Sequence, residues 1–266
     1  MKGERFTVLG ASGFVGAHLV RLFQAGGVEV REGSRLSWPE PGEPLGHIIY
    51  AVGLTADFRT RPFDTIEAHV GLLSRTLEHA RFDSFVFLSS TRVYRGAGAT
   101  SEDQPLRMSP TDPDRLYDLS KLCGEALCLS RNNPGVRVAR LSNVFGEGDE
   151  PSNFLRSVVD EAKATGAVTL RQGLGSAKDY VGVDDVCRAL AHISTQGRQR
   201  LYNVAAGINT AHSQIAGALE DVFAATVRIE ANAPDVVDIP IDVGRLGAEM
   251  DWRPVSVLDY LRSGQA

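Results

Sequence analysis

The chain has 266 residues, 43% of them hydrophobic and 23% charged, a length that suits one large domain or a domain with a smaller lobe. Its 28 Lys and Arg against 33 Asp and Glu leave a net charge of -5, which excludes a polycation held to nucleic-acid phosphates by charge alone. No apolar run reaches the ~18 residues of a membrane span, and the charged start Met1–Phe6 carries no signal-peptide pattern, so a cytoplasmic protein is expected. The three cysteines, Cys123, Cys128 and Cys187, form neither a CxxC pair nor a zinc spacing; buried thiols in a reducing compartment and no metal are expected.

In chain order, Phe6–Leu9 is a short apolar run that ends at a glycine. Phe14–Ala25 carries apolar residues at helical spacing. Val28–Val30 reads as a weak strand and His47–Val52 as a stronger one. Between them Ser34–Gly46 holds Pro39, Pro41 and Pro44, which argues for an extended crossover rather than a helix. Phe63–Ala80 has the 3.6-residue pattern, with Ile66, Val70, Leu73 and Leu77 on one face. Phe85–Leu88 is a continuous apolar run ending in serines, Leu116–Leu129 is helical again, and Val136–Leu141 is a strand. This alternation predicts an α/β fold, a parallel sheet covered by helices on both faces. Past about residue 146 the rhythm becomes irregular, with the loop Phe145–Ser152, shorter strands and medium helices, and predicts a smaller lobe closing over the sheet. The expected division is a sheet domain over 1–146 and a lobe over 147–266, partly interleaved with it.

The segment TVLGASGFVG places Gly10, Gly13 and Gly16 directly after a strand and at the start of a helix. A tight turn needs a residue that tolerates positive φ, a pyrophosphate needs backbone N–H groups with no Cβ in the way, and the helix N-terminus supplies partial positive charge. Strand, glycine loop and helix together form a dinucleotide fingerprint; a lone glycine triplet would suit an ordinary turn equally well. At the end of the second strand, VEVREGSR, an arginine would accept the 2′-phosphate of NADP and a carboxylate the 2′-hydroxyl of NAD. The count from the glycine loop puts Ser34 and Arg35 there and favours NADP, whereas a slip of two residues would substitute Glu32 and favour NAD.

In LYDLSK, Tyr117 and Lys121 stand at i and i+4 of a helix and share a face. A phenol near pKa 10 is a poor acid or base at neutral pH, and an ammonium beside it stabilises the phenolate. Ser90 ends a strand, where its hydroxyl can hold a reacting oxygen. The three together form a proton-transfer set for hydride exchange at a C–OH/C=O centre.

These segments, with RLSNVFG at Arg140–Gly146, KDYVGVDDV at Lys178–Val186, YNVAAG at Tyr202–Gly207 and RLGAEMDWRP at Arg245–Pro254, resemble the extended short-chain dehydrogenase/reductases, in particular the nucleotide-sugar epimerase/dehydratase/reductase group. The resemblance implies a Rossmann-type doubly wound parallel sheet with a smaller C-terminal substrate-binding lobe. It implies Tyr117 as acid/base, Lys121 as its pKa partner and ribose ligand, and Ser90 on the reacting oxygen. It implies a cofactor site of Gly10, Ser12, Gly13, Phe14, Val15 and Gly16, with Arg35, Ala51, Val52, Gly53, Leu88 and Leu141 beside Tyr117 and Lys121. The substrate would meet Ser90, Thr91, Asn143, Asn153 and Lys178, the lysine standing where the family usually has arginine. For Asn143 and Asn153, loop and helix-cap chemistry is the competing assignment.

Departures from the family pattern matter as well. The Asp–Glu pair that sugar-nucleotide dehydratases use falls at Thr91 and Arg92, so no carboxylate pair is available for that elimination. His69 stands where asparagine is usual and Gly182 where histidine is usual; a packed histidine with no catalytic role is expected. The resulting expectation is an NADP-linked reductase of a keto group on a nucleotide-activated deoxysugar. An NAD-dependent nucleotide-sugar 4-epimerase is the alternative, and a non-catalytic dinucleotide-binding protein the remaining class. A homodimer paired through the helices Phe63–Ala80 and Leu116–Arg131 is the expected assembly.

Overall fold

The computed structural model describes residues 3–264 apart from 35–37, 39, 41 and 56. The first half runs β1 (Arg5–Leu9), α1 (Phe14–Ala25), β2 (Glu29–Gly33), β3 (His47–Tyr50), α2 (Pro62–Ile66), a wide π turn (Glu67–Gly71), α3 (Leu72–His79), β4 (Ser84–Ser90), a 3-10 turn (Thr91–Tyr94), α4 (Leu116–Ser130) and β5 (Val136–Leu141). The second half runs β6 (Asn143–Phe145), α5 (Phe154–Thr165), β7 (Ala167–Leu170), β8 (Ala177–Gly182), α6 (Val183–Gln196), β9 (Leu201–Val204), β10 (Asn209–Ala211), α7 (His212–Phe223), β11 (Thr226–Ile229), α8 (Gly244–Gly247) and α9 (Val257–Arg262). No helix among the described residues is long and apolar enough to cross a membrane.

The main sheet has six strands in the order β2-β1-β3-β4-β5-β9, all parallel. Period-two alternation sends its residues to opposite faces. Phe6, Val8, Ile49, Val86, Leu88 and Ala139 pack with Leu19, Val20 and Phe23 of α1 and Val186, Leu190 and Ile193 of α6. Leu9, Ile48, Tyr50, Phe85, Phe87 and Val138 pack on the other side with Leu73, Leu77 and Cys128. The chain past residue 146 is therefore shared: α6 covers the main sheet and β9 is its sixth strand. A separate core joins Leu155, Val158 and Val159 of α5 to Ile215 and Leu219 of α7 and Val257 and Leu261 of α9.

Most of the sequence-based elements appear where periodicity placed them; α1 and β5 have the expected bounds, and β2 extends further, to Gly33. The stretch Phe63–Ala80 is different. The π turn interrupts the helix, and the phase before it is not the one expected: Phe63 is 87% and Ile66 40% exposed, while Thr65, Ala68 and His69 are buried. A wide turn adds a residue to the helical repeat and rotates what precedes it relative to α3. The rotation carries His69 inward. Of the cysteines, Cys128 and Cys187 are buried as expected, but Cys123 on α4 is exposed.

Candidate active site

In a doubly wound sheet, ligands meet the carboxyl ends of the strands where the strand order reverses, which here is between β1 and β3. The loops after β1, β3, β4 and β5 open there onto one cavity of about 1210 Å³. Gly10 leaves β1 with φ +89°, and its N–H bonds the Gly33 carbonyl at 2.9 Å. A Cβ on Gly10 would lie 2.8 Å from the backbone of Ala51, and one on Gly16 would run into the Gly10 carbonyl. The turn therefore closes only with glycine at these two positions, and the first turn of α1 faces the cavity through Gly13, Phe14, Val15 and Gly16.

Ala51, Val52, Gly53, Leu88 and Leu141 also line this cavity, as do Ser90, Thr91, Tyr117, Lys121, Asn143, Asn153 and Lys178. Gly10 and Ser12 belong to the loop but do not form the cavity wall, and Ser12 is exposed. Arg35, on which the expectation of NADP turned, lies outside the described residues; Glu32 is on β2 and exposed. The two asparagine amides are engaged locally, Asn143 Nδ2 donating to the Asp179 carbonyl at 2.7 Å and Asn153 Nδ2 to Asp149 Oδ1 at 2.6 Å. Lys178 is partly buried, and desolvation pulls its pKa down against the pull of Asp238.

Tyr117 and Lys121 lie on the buried face of α4. The hydroxyls of Ser90 and Thr55 face the same cavity as Tyr117 and favour its phenolate form. Burial raises its pKa, opposed first by the nearby Arg92 guanidinium. Ser90 is 9% exposed, ends β4, and accepts from the Arg92 N–H at 3.3 Å, which caps the 3-10 turn. Lys121 donates to the Leu88 carbonyl at 2.9 Å, and its Nζ is 5.8 Å from the Tyr117 ring centre. Burial pulls the Lys121 ammonium down to about 7.

His69, with no catalytic role expected from sequence, stands at the centre of the support. Its Nε2 accepts from the Leu54 N–H at 3.3 Å, so the proton sits on Nδ1, which donates to Ser120 Oγ at 2.8 Å. Ser120 in turn donates to the Tyr117 carbonyl at 2.7 Å. This chain ties the loop after β3 to the first turn of α4. A Cβ on Gly53 would sit 3.0 Å from His69 Nε2 and 3.4 Å from Lys121 Nζ, so the loop passes directly over both. Burial, helped by Lys121, pulls His69 down to about 2, and it stays neutral. The unfolded chain binds that proton below about pH 6.5 and the folded chain does not, so His69 makes stability fall as pH drops through 6.5. Denaturant melts of wild type and His69→Asn from pH 8 to pH 5 test this. The wild-type advantage shrinks with falling pH, by up to ~1.4 kcal/mol per unit; a constant gap contradicts a neutral His69.

Three side chains at the site were not picked out for it from sequence. Thr55 follows β3 in a stretch with no motif, and only the position of the strand-order reversal points to it. Phe58, 1% exposed, packs against Tyr117 with ring centres 5.6 Å apart. Arg92, read from sequence only as a missing acid, lies over the Tyr117 ring with Cζ 4.6 Å from its centre.

Comparison with known proteins agrees with this geometry. Residues 43–205 match the NAD dependent epimerase/dehydratase family. A dTDP-4-dehydro-6-deoxy-D-allose reductase of a Streptomyces species is 24% identical over 300 residues, spanning 95% of this chain and 92% of that enzyme. A dTDP-glucose 4,6-dehydratase of Streptomyces griseus is 30% identical over 142 residues, which cover 51% of this chain and 42% of that enzyme. Among solved structures, the NAD dependent NDP-hexosamine 5,6-dehydratase TunA superposes with a TM-score of 0.82 at 20% identity, covering 97% of this chain and 95% of that one. RMD from Pseudomonas aeruginosa, complexed with NADPH, gives 0.78 at 22% identity, covering 97% of each chain. The parallel sheet, the glycine loop at its switch point and the family match lead to one conclusion: the chain belongs to the NAD dependent epimerase/dehydratase family.

Proposed function

We propose that the protein is an NAD(P)-dependent oxidoreductase that reduces a keto group, at the 4-position, of a nucleotide-activated sugar, with Tyr117 as the acid. The observation that carries this reading is the meeting of Tyr117, Ser90 and Thr55 hydroxyls in the same cavity as the glycine loop, above buried Lys121. The cradle suits a dinucleotide, because Gly10 and Gly16 sit where any Cβ would strike backbone. When bound, the nicotinamide supplies the hydride. Tyr117 gives its proton to the carbonyl oxygen, and Ser90 and Thr55 hold that oxygen within reach. Lys121, anchored on the Leu88 carbonyl, supports the phenolate that results. Asn153, Asn143 and Lys178 line the same cavity and are assigned to the nucleotide-sugar end.

The dehydratase reading is disfavoured because Thr91 and Arg92 replace the acid pair, and Arg92 brings the opposite charge to the tyrosine. Support for reduction comes from the reductase relatives that align along 95% of the chain. A homodimer stays part of the proposal: Phe63 and Ile66 stand exposed at the α2 end of the expected helix pair. The test is to titrate NADPH and NADH into the purified protein, assay any dinucleotide that co-purifies, and then add dTDP-4-dehydro-6-deoxyglucose. The expected result is freely exchanging dinucleotide oxidised in step with sugar reduced. Dinucleotide that stays bound through purification, with dTDP-glucose converted to its C4 epimer and the keto sugar left unreduced, overturns the reductase in favour of the epimerase.

A further inference from the structure

The cation in closer contact with Tyr117 is not the motif lysine. Arg92 Cζ lies 4.6 Å from the Tyr117 ring centre, against 5.8 Å for Lys121 Nζ. Phe58 closes on the same guanidinium at 5.2 Å and on the tyrosine at 5.6 Å, so two aromatic rings keep water from it. The Arg92 side chain is only 28% exposed, and its Nε is buried with no hydrogen-bond partner. Its acidic neighbour is Asp118, at 3.4 Å from Nε to Oδ1, and Asp118 is shared with Arg115 at 3.2 Å. A cation over a phenol ring gains most when that ring carries negative charge, and a desolvated contact strengthens the effect.

We propose that Arg92 is a positioning residue for proton transfer: laid over the Tyr117 ring, it holds the phenolate form as a second cation beside Lys121. The proposal rests on the reading of Tyr117 as the acid/base. The groups that face the tyrosine are few. Lys121 and Asp118 come from α4, with Arg115 behind Asp118. Arg92 comes from the 3-10 turn, followed by exposed Arg95, and neutral His69 from the π turn, its ring edge-on at 5.4 Å. Thr55, Phe58 and Arg59 come from the loop after β3, with Arg59 bonded to Asp114 at 2.6 Å. Within this set Arg92 and Lys121 are the cations closest to the ring. Burial disfavours the Lys121 ammonium, whereas a guanidinium keeps its charge. The main-chain N–H at the same position bonds Ser90, so the guanidinium and the Ser90 hydroxyl are carried by adjoining parts of one turn.

The test follows Tyr117 directly. Phenolate absorbance is recorded in rapid alkaline pH jumps as the difference between each protein and its Tyr117→Phe counterpart, which removes the signal of the other tyrosines. Arg92→Met is expected to raise the Tyr117 midpoint by about one pH unit or more. Arg92→Lys restores most of the wild-type value, and Asp118→Asn moves it the opposite way, because Asp118 opposes the phenolate. Arg92→Met/Asp118→Asn keeps an upward shift relative to Asp118→Asn alone. An unchanged midpoint in folded Arg92→Met overturns the proposal, and so does a shift that vanishes in the double variant, since the freed carboxylate would then be its cause. The pH limb of kcat for alcohol oxidation gives a second reading, moving upward in Arg92→Met; a rise in KM with an unmoved limb assigns Arg92 to substrate binding instead. Because the midpoint needs no turnover, the two readings fail separately: if Tyr117→Phe stays active while the Arg92 shift appears, the role of Tyr117 falls and the charge coupling stands.

Discussion

Tyr117→Phe is expected to lower turnover about 10²–10⁴-fold while leaving dinucleotide affinity unchanged. The substitution removes one oxygen. The ring keeps its contacts with Phe58, His69 and Arg92, and the glycine loop that forms the cradle is remote from it in the chain. On the proposed mechanism the loss therefore falls on the chemical step, because no acid delivers the proton to the carbonyl oxygen. Single-turnover hydride transfer from bound NAD(P)H, measured beside a fluorescence titration of the cofactor, separates the two quantities. Turnover that survives the substitution removes Tyr117 from the mechanism.

Glu125→Ala is expected to destabilise the fold by about 3–5 kcal/mol, a drop of roughly 10 °C in Tm. Glu125 on α4 takes a bidentate pair from Arg140 on β5, Nε to Oε1 at 2.9 Å and Nη2 to Oε2 at 2.6 Å. Arg140 is 5% and Glu125 4% exposed as side chains. Arg140 Nη1 donates to the Tyr94 hydroxyl at 2.7 Å, Tyr94 donates to Asn203 Oδ1 at 2.9 Å, and Ser89 donates to Glu125 at 2.5 Å. The network runs through β4, α4, β5 and β9. Without the carboxylate a buried guanidinium loses its counter-charge, which costs more than the pair itself contributes. Calorimetry of Glu125→Ala and of Glu125→Leu/Arg140→Met gives the check. The double variant recovers much of the loss if the unpaired charge is the cause, and equal losses in both variants point to packing instead.

Sequence periodicity located the strands and helices because alternation and 3.6-residue spacing are local consequences of which face is buried. It failed in Phe63–Ala80, where the apolar pattern looked continuous. The π turn there is favoured by contacts that a local pattern does not carry: His69 reaches a backbone N–H at Leu54 and a hydroxyl at Ser120, one upstream and one far downstream. Other segments that carried the resemblance also have structural work. Asn203 bonds the carbonyls of Thr100 and Asp242, and Asp179 accepts from Ser142, Ala206 and Gly207. These bonds join the lobe to the sheet, and Asp179 itself lines the cavity.

The glycine loop and the Tyr117–Lys121 pair were determined by sequence alone, because each is a local device: a turn that admits no Cβ, and two side chains one helical turn apart. The arrangement around them was decided by tertiary structure. Thr55, Phe58, Arg92 and His69 stand on three different segments and meet at Tyr117 because β3 and β4 are neighbouring parallel strands whose carboxyl ends open on one crevice. The charge and hydration that set the proton affinities of Tyr117 and Lys121 depend on that meeting, since desolvation and ion pairing are properties of the packed neighbourhood and not of the order of residues in the chain.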